Sequence, residues 1–271
     1  MGKASMSELA AQRGLTRRAL SQQFKQYFAR EASWRPPAQV RVLVLDGMYV
    51  HGRSLVTLIA LTEQGQACWR FAPWESAQTW GTLLSLLPRP QVVVCDGQKG
   101  MLKEINARWP GVALQRCHFH IAKLARRHLT LHPKTEAGQE MQILIRALPR
   151  TKNLRAAQTW RRAYEAWEAR YVSLLVERTY YDDGIRRRWW YTHRNLRGVR
   201  SLIRGALPHL FTHLRYQGTP NTTNHLEGGV HAQIAETLRL HRGLRIHQKK
   251  TLVSVFLAER NRTKKATRKF S

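Results

Sequence analysis

Acidic residues are scarce in this sequence of 271 residues, which has 17 Asp and Glu against 46 Lys and Arg and a formal net charge of +29. The basic residues are spread over the whole chain rather than concentrated in a tail. A field of this sign binds polyanions, and nucleic acid is the polyanion that we expect, because neutralising many phosphates releases counterions. A ribosomal or chromatin-like protein would have the same charge, so the charge alone does not indicate an enzyme.

Cysteine and long apolar runs are also rare. The three cysteines, Cys68, Cys95 and Cys117, are too few and too scattered for a disulfide framework, and no Cys-x-x-Cys pair indicates a zinc ribbon. No apolar run approaches the roughly 20 residues that cross a bilayer, and the N-terminus lacks the apolar core of a signal peptide. These absences predict a soluble protein of a reducing, intracellular compartment with no membrane partner.

The N-terminal segment has the pattern of two short helices separated by Gly14. Ser7 and Thr16 are the candidate N-caps, and the small side chain of Ala10 would let the two helices cross closely. The second helix presents donors suited to phosphates and base edges, namely Arg17, Arg18 and Gln22. The pattern favours a DNA-binding helix-turn-helix over residues 1–34, and an ordinary helical hairpin is the alternative.

A proline pair at 36–37 ends that segment, and an α/β pattern follows. Strands are predicted at 40–45, 54–62, 66–73, 91–95 and near 112–116, and helices near 75–87, at 98–108 and from 118. Leu, Trp, Arg and Ala then recur at helical spacing, which predicts an all-helical insertion. The predicted units are a helix-turn-helix (1–34), the first part of an α/β core with a mixed sheet flanked by helices (38–130), the insertion (131–215), and the rest of the core with a basic tail (216–271).

Two of the four aspartates follow hydrophobic strand patterns directly. Asp46 comes after the first strand pattern and Asp96 after the fourth, and each is followed by glycine. A carboxylate at the C-terminal end of a buried strand usually faces a cleft, and two on neighbouring strands can share a divalent metal. The alternative is that both are turn-forming Asp-Gly pairs, which are common at strand ends.

A third acid, Glu227, lies near the start of a helix that is predicted to begin after Asn224. From this position its side chain can project towards the sheet. Asn224 and Glu227 also stand in the relation of an N-cap and the third helical residue, so a capping box is an alternative interpretation. Glu236, on the same helix, is the rival third acid.

These elements together resemble the ribonuclease H-like DDE transposases of bacterial insertion sequences related to the Mutator superfamily. The resemblance covers about residues 40–260 and depends on order and spacing, with Asp96 50 positions after Asp46 and Glu227 131 positions after Asp96. The motifs are Asp46-Gly47, Asp96-Gly97, Arg116-Cys117-His118-Phe119-His120, Asn224-x-x-Glu227 and Arg239-x-x-Arg242-Gly243.

The resemblance implies an enzyme that cleaves the DNA ends of an insertion sequence and joins them to a target. Its metal ligands would be Asp46, Asp96 and Glu227, holding two Mg²⁺ or Mn²⁺ ions. The implied partners are double-stranded DNA, as terminal repeats and as target, and further copies of the chain in a homodimer or higher oligomer. The implied location is the bacterial cytoplasm, in association with the nucleoid, and relatives often carry more residues at the N-terminus.

The resemblance also includes Cys117 and His120, the family's Cys-x-x-His element. Zinc would need two further ligands, and the available side chains are not spaced as in a known finger: His118, His128 and Cys95. A structural or DNA-positioning role is therefore favoured for this element.

Other basic, aromatic and imidazole groups are further candidates. The predicted DNA contacts outside the N-terminus are Arg186, Arg187, Arg188, Trp189, Arg239 and Arg242. Trp160, Trp167, Trp189 and Trp190 could stack on an unpaired base, although core packing is favoured for the first two. His51 and His225 lie near the acids and could assist proton transfer. Two other functions stay open: a ribonuclease H-like nuclease or resolvase without strand transfer, and a non-catalytic basic DNA-binding protein.

Overall fold

The computed structural model describes residues 5–29, 33–182, 184, 186–241 and 243–268. A five-stranded mixed sheet is built from β1 (Val42–His51), β2 (Leu55–Thr62), β3 (Ala67–Ala72), β4 (Val92–Cys95) and β5 (Ala113–Arg116). The strand order is β3-β2-β1-β4-β5, with antiparallel pairing among the first three strands and parallel pairing from β1 to β4 and from β4 to β5. This architecture confirms the predicted mixed sheet.

Both faces of the sheet are covered. The α3 (Ala77–Leu84) and α4 (Lys99–Arg108) helices pack on one face through buried side chains such as Trp80 and Ile105. The opposite face is covered by segments from the C-terminal part of the chain, whose buried contacts include Leu226. Strands buried on both faces have the near-continuous apolar sequences that the strand prediction used.

The N-terminal segment forms α1 (Met6–Gln12) and α2 (Arg17–Ala29), with Gly14 in the left-handed region at φ 62°. Thr16 caps α2 as expected, because its hydroxyl accepts the Ala19 N–H at 3.1 Å. The prediction that Ser7 caps α1 was wrong. Ser5 is the cap, because Glu8 stands three residues after it and completes a reciprocal capping box.

The segment at the predicted domain boundary lies against the sheet. Trp34 donates its indole N–H to the Trp69 carbonyl at 2.9 Å, and the Gln66 side chain donates to the Arg35 carbonyl at 2.8 Å. These bonds fix the chain where it enters β1.

A second hydrophobic core lies among α5 (His118–Leu129), α6 (Glu136–Ala147), α7 (Leu154–Arg170), α8 (Val172–Val176) and α9 (Arg194–Ala206). Trp160 and Trp167 are buried in it, and their indole N–H groups donate to the carbonyls of Leu144 and Ala137. The packing interpretation of these two tryptophans is confirmed, and neither ring is accessible to a DNA base.

The prediction of an all-helical insertion was wrong at one place. Residues Arg178–Asp182 and Arg187–Tyr191 form an antiparallel hairpin, β6 and β7. Thr, Tyr and Trp favour strands, and the turn is stabilised because the Asp182 carboxylate accepts the N–H of Gly184, which has φ 76°. The predicted DNA contacts Arg187, Arg188 and Trp189 therefore lie on a strand, not on a helix.

The chain returns to the sheet through a π-helical segment (His225–His231), which continues into α10 (Ala232–Leu240), and ends in α11 (Ile246–Arg268). Leu226, Val230 and Ile234 pack on the sheet together with Val253 and Leu257 of α11. In the described part of the chain, no helix combines the length and the apolarity needed to cross a membrane.

Candidate active site

Asp46 and Asp96 lie on neighbouring strands, as predicted. Asp96 directly follows β4, whereas Asp46 is inside β1, so the prediction that it ends its strand was wrong. The reason is that β1 has two partners of different length. Its pairing with β4 stops at Val44, but its pairing with β2 continues through Asp46 to the end of the strand. Asp46 therefore lies where β1 and β4 part, at the opening that Asp96 also borders.

The Asp46 carboxyl is in an environment that disfavours its negative charge. Its side chain is 9% exposed and accepts a hydrogen bond from the Gly47 N–H at 3.0 Å. Burial, followed by the nearby charges of Asp96 and Glu227, raises the pKa of Asp46 to about 8. A bound cation would reverse this penalty.

Asp96 is held by the backbone around it. Its carboxylate accepts the Gln98 N–H at 2.8 Å, and the guanidinium of Arg116 donates two hydrogen bonds, at 3.0 and 3.2 Å, to the Asp96 carbonyl oxygen. Gly97, at φ 83°, makes the turn between these contacts. The Gln98 N–H and the Arg116 guanidinium thus hold the carboxylate and the backbone of Asp96 in place.

Glu227 reaches the same region from the π-helical segment. Its carboxylate accepts the Thr223 hydroxyl at 2.7 Å and lies 3.5 Å from Nδ1 of His120. The capping-box interpretation fails, because Asn224 has helical backbone angles and its side chain makes no capping hydrogen bond. The rival Glu236 instead forms a two-bond ion pair with Arg239 on an exposed face of α10.

The Cys-x-x-His element links the acids to the helical insertion. Cys117 is the N-cap of α5, and its sulfur accepts the Thr223 N–H at 3.2 Å, while the Thr223 hydroxyl lies 3.3 Å from that sulfur and 3.4 Å from Nδ1 of His120. The His118 N–H donates to the Asn221 carbonyl at 2.9 Å. The chain segments on either side of the predicted insertion are therefore joined beside Glu227.

His120 belongs to both groups of side chains that could hold a metal ion among the described residues. Asp46, Asp96 and His120 form one group, and Cys117, His120 and Glu227 form the other, with ligand atoms within 4.8 Å of one another in each group. Burial raises the pKa of the Cys117 thiol, which favours its protonated form over a metal thiolate. Carboxylate oxygens suit Mg²⁺ or Mn²⁺, and the described side chains of the site lack the set of thiolates that holds zinc in a Cys-rich finger.

The side chains named as further zinc ligands are not assembled in the described parts of the chain, because neither candidate metal group there includes Cys95, His118 or His128. A role of His51 and His225 in proton transfer stays a prediction. His118 is buried, and its Nε2 lies 2.6 Å from the Leu210 carbonyl, so it serves the packing of the insertion.

Two groups at the site were not predicted. Nδ1 of His231 lies 3.5 Å from Asp46, and burial lowers the pKa of His231 to about 4, so the imidazole is neutral at pH 7. The Glu75 carboxyl faces Gly47, where an added Cβ would approach it to 2.6 Å, and burial followed by the charge of Asp96 raises the pKa of Glu75. His231 stands four residues after Glu227, and this spacing places both side chains on the same face of a helix, so the sequence did contain a signal for it. Glu75 had none.

The predicted DNA contacts are solvent-exposed where they can be described. Arg17, Arg18 and Gln22 are exposed on α2, and Arg186, Arg187, Arg188 and Trp189 on or beside β7. Arg239 is half-exposed and paired with Glu236. Arg242 lies outside the described residues.

Comparison with known proteins finds relatives among transposases. The sequence model of the family described as "Transposase, Mutator family" matches residues 40–184, which include Asp46, Asp96, Cys117 and His120 but end before Glu227. The chain is also 28% identical over 156 residues to the transposase for insertion sequence element IS905 of Lactococcus lactis subsp. lactis. That alignment covers 51% of this chain and 38% of the relative, so the chain matches well under half of the relative's length.

Proposed function

The chain belongs to the Mutator family of transposases, and from that premise we propose that it is a DDE transposase that cleaves the ends of an insertion sequence and joins them to target DNA. The observation that carries the proposal is the meeting of Asp46, Asp96 and Glu227 around His120. The strand order, with its antiparallel and parallel halves, supports a ribonuclease H-like core. Two of these carboxylates lie within the family match, whereas Glu227 lies beyond it and is supported by its sequence motif and by its position beside His120.

The ligand set fits divalent cations. Asp46, Asp96 and Glu227 would hold two Mg²⁺ or Mn²⁺ ions, because hard cations prefer oxygen ligands and Asp46 needs a neighbouring positive charge. The imidazole of His120 lies beside these carboxylates. When bound, two such ions activate the attacking oxygen and stabilise the leaving oxygen of a phosphoryl transfer. The protein's own groups keep the site in place: Thr223 holds Glu227, and the Arg116 guanidinium fixes the turn after Asp96.

The partner is DNA in this proposal. The net charge of +29 supplies the non-specific attraction, and α1 and α2 are proposed as the helix-turn-helix that selects the element's terminal repeats. The active complex is proposed to be a homodimer or a higher oligomer on two DNA ends. Arg186, Arg187, Arg188 and Trp189 are proposed as further contacts, as are Arg239 and Arg242.

A joining assay tests the proposal against its two alternatives. The purified chain is incubated with duplex DNA ending in a free 3′-hydroxyl, a supercoiled target and Mg²⁺ or Mn²⁺. We expect covalently joined product that depends on the metal. Cleavage without joining would indicate a nuclease or resolvase, and binding with neither reaction would leave a non-catalytic DNA-binding protein.

A proton should compete with the metal at Asp46. Burial and two neighbouring carboxylates raise its pKa to about 8, so at pH 7 the metal-free protein keeps a proton that must leave before a cation binds. The apparent affinity for Mn²⁺ should therefore rise up to about 10-fold per pH unit towards pH 8 and level off above it. Calorimetric titrations between about pH 7 and pH 9 measure this slope, and an affinity that does not change with pH would contradict it.

Specific recognition of the element's ends should depend on α2. Replacing Arg17, Arg18 and Gln22 together with alanine should reduce the preference for end DNA over random DNA and change the total affinity much less, because most of the basic charge remains. The control removes two exposed arginines of α7, Arg155→Ala with Arg162→Ala, and should keep the preference. Fluorescence anisotropy with both DNAs measures it, and an unchanged preference in the α2 variant would exclude this role.

A further inference from the structure

The β6–β7 hairpin exposes large aromatic side chains. Tyr180, Tyr181, Trp189 and Trp190 are 57, 52, 48 and 38% exposed. Two-stranded hairpins are marginally stable on their own, and exposed apolar clusters of this kind mark interaction sites. Because these aromatic rings are exposed and flat, a ligand that packs on them would itself have flat, apolar surfaces.

Arginines alternate with the rings on one face of the hairpin. Arg178, Tyr180, Trp189 and Tyr191 share this face, because Arg178 pairs with Tyr191 and Tyr180 pairs with Trp189 in the strand register. The Arg178 guanidinium lies 4.2 Å from the centre of the Trp189 ring and 5.7 Å from that of Tyr191. Arg187 lies 5.6 Å from the centre of Tyr180. The rings and the cations are therefore held next to one another.

The charge around the hairpin is strongly positive. The sequence from 177 to 197 contains Arg178, Arg186, Arg187, Arg188, Arg194 and Arg197, against the acids Glu177, Asp182 and Asp183. A second copy of the same surface would carry the same excess and would repel it. A polyanion that also contains planar rings would bind both the arginines, through its negative charge, and the aromatic side chains, through stacking.

We propose that the β6–β7 hairpin binds unpaired DNA strands, with bases stacked on Trp189 and Tyr180 and phosphates held by the neighbouring arginines. Bases in an intact duplex are stacked on one another and cannot offer their faces, whereas separated strands can. The inference rests on the proposed function for the source of such strands, because processing a DNA end exposes unpaired nucleotides. The binding itself needs no catalysis.

The test measures binding in EDTA, so that no reaction contributes. A fluorescein-labelled oligothymidylate of about 20 nucleotides and a duplex of the same length are titrated with the full chain. Trp189→Ala should bind the single strand on the order of 10-fold more weakly, with duplex binding unchanged within about two-fold. Trp189→Phe, which keeps a ring, should restore most of the affinity. Ile143→Ala, at a residue 65% exposed on α6, is the control and should bind both DNAs normally.

The salt dependence separates stacking from loss of structure. Trp189→Ala should lower the single-strand affinity at every salt concentration without changing the slope of log affinity against log salt, because no phosphate contact is removed. Unchanged single-strand binding, an equal loss for the duplex, or a change only in self-association by analytical ultracentrifugation would each overturn the proposal. A chain that fails to join DNA but keeps Trp189-dependent strand binding would reject the transposase mechanism and retain this inference.

Discussion

Asp46→Asn, Asp96→Asn and Glu227→Gln should each abolish metal-dependent cleavage and joining. The loss of activity should exceed the roughly 10- to 100-fold that is typical when a residue hydrogen-bonded to a metal ligand is replaced. Each substitution removes a charged ligand from the cluster around His120 but leaves the positive field of the chain intact. DNA affinity in EDTA should therefore stay near that of the unaltered protein. Joining rates and anisotropy titrations measure the two effects separately.

Glu236→Gln is the matched control, because Glu236 lies on the helix that follows Glu227 but is paired with Arg239 at the surface. We expect nearly full activity from it. An inactive Glu236→Gln protein beside an active Glu227→Gln protein would transfer the role of third acid to Glu236. Retained joining by any of the three acid variants would remove that residue from the site.

Gly97→Ala should destabilise the fold by about 3 kcal/mol, the sum of left-handed backbone strain and a lost charged hydrogen bond. Gly97 has φ 83°, and an added Cβ would lie 1.9 Å from the guanidinium carbon of Arg116. Arg116 is 7% exposed and would have to leave the Asp96 carbonyl to make room. Urea denaturation followed by circular dichroism measures the loss, and joining activity should fall with it.

Gly205→Ala provides the comparison for that variant. Gly205 lies in α9, its backbone is helical, and nothing is within 4 Å of the position a Cβ would take. Alanine should leave stability unchanged or raise it by up to about 1 kcal/mol, because glycine weakens a helix interior. If Gly97→Ala and Gly205→Ala were equally stable, Arg116 would be free to move away, and its hydrogen bonds to the Asp96 carbonyl would not stabilise the turn.

The parts of the site that could be predicted are those that depend on local pattern. A strand that is buried on both faces has a continuous apolar sequence, so β4 and the position of Asp96 after it were recognisable. The Cys117-x-x-His120 spacing places both side chains on the first turn of α5, whatever their role. Family resemblance supplied Glu227, whose own surroundings in sequence were equally consistent with a capping box.

The parts that could not be predicted depend on tertiary packing or on competing local preferences. Glu75 is at the site because Gly47 leaves space for its carboxyl, and nothing adjacent to Glu75 in sequence encodes that contact. The hairpin around Gly184 lies between helices, and the helical spacing of Leu and Trp in the flanking sequence concealed its short strands. The length of β1 was underestimated because polar Asp46 interrupts the apolar run, while its hydrogen bonds with β2 continue.

The hydrogen bonds from His118 to Asn221 and from Thr223 to Cys117 make the intervening chain a closed excursion from the sheet. The entropy of closing a flexible loop grows only with the logarithm of its length, by about 0.6 kcal/mol per doubling, so the length of the excursion by itself adds little to the cost of joining its two ends. Because the two ends are joined beside Glu227, the distance of this acid from the aspartates is set where they meet and not by the length of the chain between them. A change in the length of the chain beyond these two bonds should therefore leave the acidic cluster in place, provided that the helical core stays folded.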